Sequence, residues 1–443
     1  MLKRVLESMV AVLVLVILVT GCSQPADTGS AKPDEKGHSC ALLSGTGMGS
    51  GASPETAGSD AVVAALKKLG SDSADVIIVY ATCKGEDYEA TKEQASLAFQ
   101  GATKAAGDNL VVGCMATAGI LTSEGYGVSN SVGAVALKGQ GSVKIKVDKV
   151  NEFLEGMEKA GETLAKKIAG DKDVAMILLT DSNISHNAPE VANFLKGVKK
   201  VVAKGVAIAG GNSMGFDDFH APVFYKDALL EKGGIGIMLS GHLTVGIGIA
   251  NNFEFVNEKP MKITKSDGKA IFTLDDKPVA DVVEALTGVD KEGQKDIGAA
   301  LKNIFAYKVE DRPFIRFQRA LKEDDKGIYY DGFPNGMPEG DEVYVARYNQ
   351  EKLIPSSAQS VKNALASMGG AKPALAMPFV CCGRAGVGQE QVGENTAIRE
   401  TLGKDVPVMG FYACGEYYTP DWKTEEEKAT YCQFSSIVLL IGN

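Results

Sequence analysis

The chain has 443 residues, a formal net charge of −10 and hydrophobic side chains at 45%, which is the composition of a globular protein with room for two or three domains. Its acidic balance, without blocks of Lys and Arg, argues against a nucleic-acid partner. The eight cysteines include no CxxC pair, which argues against zinc-finger domains.

The N-terminus has the parts of a secretory signal. Lys3 and Arg4 precede an apolar run over residues 9–19, which is shorter than the roughly 20 residues needed to span a bilayer. The VTGC sequence that ends in Cys22 resembles a lipobox, the motif at which bacterial lipoprotein signal peptides are cleaved. We therefore expect residues 1–21 to be removed and Cys22 to be acylated, which would hold the protein in the cell membrane at its extracytoplasmic face. The alternative is an ordinary signal peptide with an incidental cysteine.

Residues 22–39 contain many Ser, Pro, Gly and charged residues and few apolar ones. Such a segment has too little apolar surface to pack into a core. We predict a flexible tether between the acylated cysteine and the folded protein.

The rest of the chain repeats itself. DVAMILLT from Asp173, VAIAGG from Val206 and GGIGIMLSG from Gly233 recur about 200 residues later as PALAMPFV from Pro373, VPVMGF from Val406 and SSIVLLIGN from Ser435. VKIKV from Val143 is matched in the same way with VYVAR from Val343. A shorter third copy lies upstream, with DVIIVY from Asp75, VVGCMATAG from Val111 and VGAVALKG from Val132.

These apolar runs have the length and composition of buried strands, and the segments between them have helical apolar spacing. The pattern predicts an α/β fold of two related halves, duplicated at an offset of about 200 residues. A terminal hairpin in each half makes the predicted β-sheets mixed, and helices cover them.

Several segments resemble the FIST family, the paired N- and C-terminal FIST domains of bacterial and archaeal signalling proteins. For the N-terminal domain they are SPETAGSDAVVAAL from Ser53, VIIVYAT, VVGCMATAGI and GGNSMGFDD. For the C-terminal domain they are ITKSDGKAIFTLDDKPV, FVCCGRAG and GFYACGEY. GCMATAGI departs from the tighter Gly-Cys-Ser-Thr-Ala-Gly pattern that is usual in the family.

The resemblance divides the chain into a FIST N-like domain over residues 40–250 and a FIST C-like domain over residues 251–443. It implies a sensory protein that binds a small ligand, such as an amino acid or a related carboxylate, in a cleft between the two halves. It also implies a separate signalling partner. We expect binding without catalysis and without a cofactor.

Ligands of open α/β sheets bind in the loops beyond the carboxyl ends of the strands. Arg384 in such a loop could clamp a ligand carboxylate with two parallel hydrogen bonds, or form a structural salt bridge to Glu416 or Glu394. Glu416 could receive a ligand ammonium group or orient Arg384. The candidate ligand-binding residues are Thr117, Asp181, Gly211, Asn212, Asp217, Cys382, Arg384 and Glu416.

Two other functions stay open at this stage. Some FIST proteins bind haem and sense nitric oxide, and His186, in the loop after Asp181, could then be the haem ligand. Cys382 could be the nucleophile of a hydrolase or transferase if a base lay nearby. With only four histidines in the chain, both are weaker than the binding hypothesis.

Overall fold

The computed structural model describes residues 41–151, 153, 156–182, 188–215, 221–268, 270–309, 312–315, 318–322, 326–330, 337–419 and 431–443. The predicted signal peptide, Cys22 and the tether lie outside these residues, as do His186 and Asp217. Within the described ranges, no helix is both long enough and apolar enough to cross a membrane.

The helices of the described residues are α1 (Pro54–Leu69), α2 (Tyr88–Ala106), α3 (Met157–Ile168), α4 (Ala188–Lys199), α5 (Val279–Thr287), α6 (Lys291–Lys295), α7 (Ile297–Lys302), α8 (Leu353–Ser367), α9 (Cys382–Gly388) and α10 (Gln391–Leu402). Local sequence sets their ends. Helix α1 begins after Ser53, whose hydroxyl accepts the N–H of Thr56 as an N-cap, and ends at Gly70 in the left-handed conformation.

The strands are β1 (Ala41–Gly49), β2 (Val76–Ala81), β3 (Val111–Met115), β4 (Ile120–Thr122), β5 (Tyr126–Gly127), β6 (Val132–Gln140), β7 (Lys144–Val150), β8 (Asp173–Thr180), β9 (Ala207–Asn212), β10 (Val223–Tyr225), β11 (Ala228–Leu230), β12 (Gly234–Ser240), β13 (Thr244–Asn251), β14 (Phe253–Phe255), β15 (Met261–Ser266), β16 (Ala270–Leu274), β17 (Lys277–Pro278), β18 (Asn303–Val309), β19 (Arg312–Ile315), β20 (Gln318–Leu321), β21 (Ile328–Tyr330), β22 (Glu342–Tyr348), β23 (Leu375–Cys381), β24 (Met409–Ala413), β25 (Glu416–Tyr418), β26 (Tyr431–Cys432) and β27 (Ser435–Gly442).

Three units of the same topology make up most of the molecule. Their sheets have the orders β1-β6-β2-β3 in unit 1, β7-β12-β8-β9 in unit 2 and β13-β27-β23-β24 in unit 3. In each unit the first two of the three pairings are antiparallel and the third is parallel. The α/β fold with mixed sheets and a repeat about 200 residues apart is confirmed, and the short upstream copy is a full third unit.

A hairpin from each unit completes the sheet of another unit. β10–β11 of unit 2 pairs with β3 of unit 1, β25–β26 of unit 3 pairs with β9 of unit 2, and β4–β5 of unit 1 pairs with β24 of unit 3. The three exchanges close a cycle, so each unit both gives a hairpin and receives one. Because of this exchange, β3, β9 and β24 are not open edges of their sheets.

The two faces of each unit's sheet pack against different neighbours. Inward-facing side chains such as Ile78, Ile177 and Phe379 belong to one core that the three sheets share. The opposite faces pack against helices: α1 and α2 on unit 1, α3 and α4 on unit 2, and α8 and α10 on unit 3. Both faces are therefore buried, which explains why the central strands are continuous apolar runs.

A separate nine-stranded sheet is inserted between β13 and α8. It holds β14 to β22, with α5 to α7 beside it. VYVAR from Val343 lies in β22 of this sheet, where it pairs with β14, β15 and β18. Its match with VKIKV is therefore wrong, because β13 is the first strand of unit 3 and holds the position that β7 holds in unit 2.

Candidate functional site

The strand registers make positions in the three units directly comparable. Ala81 in unit 1, Thr180 in unit 2 and Val380 in unit 3 are equivalent, because each pairs with the same point of the neighbouring parallel strand. The residues that follow them at the carboxyl end are Thr82-Cys83, Asp181-Ser182 and Cys381-Cys382. Unit 3 thus places two thiols where the other units place a polar residue followed by Cys or Ser.

The candidate site lies at the seam where the β25–β26 hairpin of unit 3 joins β9 of unit 2. Glu416 stands directly opposite Gly211 in this pairing. The backbone N–H of Asn212 donates to the Gly415 carbonyl at 3.0 Å, and the Cys414 N–H donates to the Asn212 carbonyl at 3.1 Å. The structure therefore brings three of the predicted residues, Gly211, Asn212 and Glu416, to one place.

Asn212 also organises a buried polar group that spans the seam. Its Oδ1 accepts the Thr180 hydroxyl at 2.7 Å and the Tyr417 hydroxyl at 2.5 Å, and those two hydroxyls are 2.6 Å apart. Burial raises the pKa of Tyr417 above its ordinary value. The hydrogen bonds hold unit 2 and the hairpin of unit 3 in a fixed relation beside Glu416.

Glu416 is fully buried without a normal hydrogen-bond partner for either carboxyl oxygen among the described residues. The polar groups that face it are the Cys381 thiol and the backbone N–H of Ser435. Burial raises its pKa well above the ordinary value, and the neighbouring Cys381 and Cys432 raise it further. The carboxyl group is therefore neutral over a wider pH range than an exposed glutamate.

The position of Glu416 is apolar in the two other units. The hairpin registers make Val223 of unit 2 and Ile120 of unit 1 its equivalents, since they pair with Cys114 and Phe411 as Glu416 pairs with Gly211. Both equivalents are buried. The fold accepts an aliphatic side chain here, so the carboxyl group in unit 3 is not required by the architecture.

Cys381 lies next to this carboxyl group, Cys382 contacts Cys381 and Cys414, and we call Cys381, Cys382 and Cys414 the thiol cluster. The Cys382 thiol is hydrogen-bonded with the thiols of both Cys381 and Cys414, which raises the pKa of Cys382. Burial would also raise the pKa of Cys381, but hydrogen bonds with Cys382 and with backbone groups at Phe434 and Gly383 lower it to about 7. Cys382 and Cys414 are partly exposed to solvent, whereas Cys381 is buried.

Arg384 has a different role from the predicted carboxylate clamp. It is fully buried, and Nε donates to Glu394 Oε1 at 2.9 Å. Its remaining N–H groups donate to acceptors on the protein: the carbonyls of Leu353 and Phe434, the hydroxyls of Ser356 and Ser357, Asn252 Oδ1 and Glu394. No donor is left for a ligand in this arrangement, so the clamp is corrected to a structural ion pair with Glu394.

Two other predicted residues make structural hydrogen bonds, Thr117 between units 1 and 2 and Asp181 within unit 2. The Thr117 hydroxyl donates to the carbonyls of Met214 at 3.0 Å and Gly215 at 2.7 Å. Asp181 is buried, and its carboxylate accepts the Lys232 N–H at 3.0 Å. Both residues therefore stabilise the chain at the strand ends.

Several residues at the seam are not among the residues predicted from the sequence. Cys382 was singled out, but Cys381 and Cys414 were not, although they end or follow the paired strands β23 and β24 and could have been found from that register. Thr180 and Tyr417 come from distant parts of the chain, 237 residues apart. No local pattern indicates that these two hydroxyls meet.

Comparisons with known proteins identify two domains along the chain. A FIST N domain is matched over residues 75–277 and a FIST C domain over residues 279–419, and no curated protein matches the chain. Among solved structures, a cyanuric acid hydrolase from A. caulinodans is 9% identical with a TM-score of 0.35, and the match covers 91% of this chain and 99% of that one. A second cyanuric acid hydrolase structure is 11% identical, with the same coverage and a TM-score of 0.32. Likeness at these TM-scores carries no argument about this protein.

The two domain matches meet between Lys277 and Val279, a short distance beyond the boundary expected at residue 250. The FIST N match holds most of units 1 and 2 together with β13 to β16, and the FIST C match holds part of the inserted sheet together with α8 to α10 and β23 to β25 of unit 3. On this evidence the chain belongs to the FIST-domain proteins, with a FIST N domain followed by a FIST C domain.

Proposed function

We propose that this protein is a sensor for a small amine-bearing solute, such as an amino acid, which it binds at the seam between its FIST N and FIST C domains. FIST domains are generally regarded as sensory domains that bind small ligands. The proposal is supported by one observation above the others. Glu416 is a buried carboxyl group without a normal hydrogen-bond partner among the described residues, at a position that the other units fill with an aliphatic side chain.

A buried carboxyl group without normal hydrogen bonds costs free energy, so a ligand explains the presence of Glu416 better than the fold does. An ammonium group is the natural complement of a carboxyl group in a site of low dielectric constant, because the charged pair compensates the loss of solvation. The correction of Arg384 removes the predicted partner for a ligand carboxylate. The recognition we propose therefore depends on the amino end of the ligand.

Ligand binding in this proposal changes the ionisation of Glu416. Burial raises the pKa of the free carboxyl group and so favours its neutral form, and a bound ammonium group would stabilise the ionised form. Binding would then release a proton from Glu416. The ligand would favour one arrangement of the two domains, and a separate signalling partner would respond to that arrangement.

Isothermal titration calorimetry can test the proton release. We would titrate the full chain with the common amino acids in two buffers of different ionisation enthalpy, with the wild type and with Glu416→Gln. The expected result is a binding enthalpy that depends on the buffer for the wild type, with release of about one proton. The Glu416→Gln variant should bind at least about tenfold more weakly, which corresponds to about 1.4 kcal/mol, without proton release.

A matched control is Glu339→Gln, which changes an exposed glutamate of the described chain and should leave both binding and proton release unchanged. Binding of equal affinity and equal buffer dependence by wild type and Glu416→Gln would rule out the proposed role of Glu416. Absence of binding by any amine tested would count against the ligand class itself.

We also propose that Cys22 is acylated and anchors the protein at the extracytoplasmic face of the cell membrane. The support for this part is the signal-like N-terminus with its VTGC sequence. Labelling of expressing bacteria with an alkyne analogue of palmitate should mark the wild type and not Cys22→Ser. Labelling that persists in Cys22→Ser would overturn the anchor.

A further inference from the structure

A second feature of the seam is independent of ligand binding. The paired strands β23 and β24 are parallel, and Cys381 is the register partner of Ala413. The next residue on each chain is a cysteine, Cys382 on one side and Cys414 on the other. The last paired residues, Cys381 and Ala413, stand on neighbouring strands, which lie about 4.8 Å apart, and the two cysteines that follow them start from a separation compatible with the range of about 4.4–6.8 Å between the Cα atoms of disulfide-bonded cysteines.

The two thiols are also in contact and accessible. The Cys382 thiol is hydrogen-bonded with the Cys414 thiol, so their sulfur atoms already face each other. Both residues are partly exposed, whereas the other described cysteines, Cys83, Cys114, Cys381 and Cys432, are buried. An oxidant from solvent would therefore meet this pair before any other described cysteine.

We propose that Cys382 and Cys414 form a reversible disulfide when the protein meets a hydroperoxide, which makes the seam a redox-sensitive site. One thiol of the pair, as its thiolate, attacks the terminal peroxide oxygen. The O–O bond breaks, an alcohol or water leaves, and the sulfur becomes a sulfenic acid. The second thiol then attacks that sulfur, the S–O bond breaks, water leaves and the disulfide forms. Two thiols are oxidised by two electrons in total and one hydroperoxide is reduced by two.

Cys381 does not join the proposed disulfide, although the hydrogen bonds with Cys382 and with backbone groups lower its pKa to about 7 against the effect of burial. A bond between the sequence neighbours Cys381 and Cys382 is disfavoured, because consecutive Cα atoms are only about 3.8 Å apart, below the range for disulfides.

Unit 1 provides an internal control. Cys83 holds the position of Cys382, at the end of β2, but Thr117 holds the position of Cys414. Cys83 is buried, and burial raises its pKa to about 12. It has the same place in the fold without an accessible thiol partner, so it should not respond to the oxidant.

The test treats the full chain with hydrogen peroxide, blocks the remaining thiols with N-ethylmaleimide and maps the disulfides by tandem mass spectrometry. The expected result is one intramolecular bond between Cys382 and Cys414, with two fewer blocked thiols than in the reduced protein. Reduction with dithiothreitol should restore both. Cys382→Ser and Cys414→Ser should each abolish the bond, and Cys83→Ser should leave it at the wild-type yield.

Cys381 and Cys382 lie on the same tryptic peptide, so the peptide map alone does not distinguish them. The variant Cys381→Ser shows which of the two cysteines forms the bond. This variant should still form the bond, because the substitution removes no sulfur atom of the proposed pair. Circular dichroism of each variant confirms that it is folded. A bond that involves Cys381, a bond that survives in Cys382→Ser, or peroxide treatment that leaves the Cys382–Cys414 pair reduced would overturn the inference.

Discussion

At the scale of single residues, Glu416 makes the stability of the protein depend on pH. Burial raises its pKa well above the ordinary value of 4.5, so the folded chain holds a proton that the unfolded chain loses at lower pH. Below about pH 4.5 both states are protonated and the effect is absent. As the pH rises from there toward the raised pKa, the unfolded state gains by ionising, and stability falls by up to about 1.4 kcal/mol per pH unit.

The variant Glu416→Gln should remove this dependence. The amide is close in shape to the neutral carboxyl group and does not ionise, so the folded state no longer has to retain a proton. We expect the variant to be more stable than the wild type at pH 7–8, with a difference that shrinks toward pH 4.5. Urea denaturation across this pH range measures the difference. Parallel curves for the two proteins would show that Glu416 is ionised in the folded state.

Arg384 shows where residue-level prediction from sequence ends. Its charge and its position after an apolar strand predict either a ligand clamp or a salt bridge to Glu394. The choice depends on helix α8, whose Leu353 carbonyl and Ser356 and Ser357 hydroxyls accept the guanidinium. Nothing in the local sequence around Arg384 indicates that α8 lies there.

At the scale of the elements, three glycines at equivalent places of β3, β9 and β24 keep these strands close to their parallel partners β2, β8 and β23. A Cβ atom at Gly113 would lie 1.9 Å from the Val79 carbonyl oxygen. At Gly210 and Gly410 the corresponding contacts are with the carbonyl oxygens of Leu178 at 1.9 Å and Pro378 at 1.8 Å. In each case the close contact is with the backbone of the parallel partner strand (β2, β8 or β23), which cannot rotate away as a side chain can.

Alanine at any of these glycines should therefore destabilise the protein strongly. We expect a loss of about 3 kcal/mol or more in the free energy of unfolding for Gly410→Ala, at the upper end of the range for overpacking. Chemical denaturation measures it. Gly386→Ala is the control, since no atom lies within 4 Å of a Cβ there and the residue is exposed in helix α9. It should be neutral or stabilising by about 0.5–1 kcal/mol.

Most of the repeated strands and helices could be predicted from apolar periodicity, because strands buried on both faces have a pattern that needs no tertiary information. The predicted match of VYVAR with VKIKV is wrong for a related reason. An apolar strand in the inserted sheet has the same local pattern as the first strand of a unit, and only its pairing with β14, β15 and β18 distinguishes the two. The exchange of hairpins was invisible for the same reason, since β25 pairs with a strand about 200 residues earlier in the chain.

At the scale of the whole molecule, the closed cycle of hairpins makes the two domains depend on each other. The FIST N part gives β4–β5 to unit 3 and receives β25–β26 from it. The shared core also takes side chains from all three sheets. A FIST N fragment alone would leave β9 as an open edge and expose the inner faces of its sheets.

We therefore expect residues 41–243, which end before β13, not to fold as a stable domain on their own. The separate fragment should bind a hydrophobic dye and lack a cooperative thermal transition, whereas the full chain should unfold in one transition of units 1, 2 and 3 together. Co-expression with residues 244–443 should restore a soluble complex, because the fragments then exchange hairpins as the intact chain does. A lone fragment that melts cooperatively at the temperature of the full chain would mean that the exchange adds little to stability. The seam would then be a contact between independent domains, free to open and close as a ligand binds.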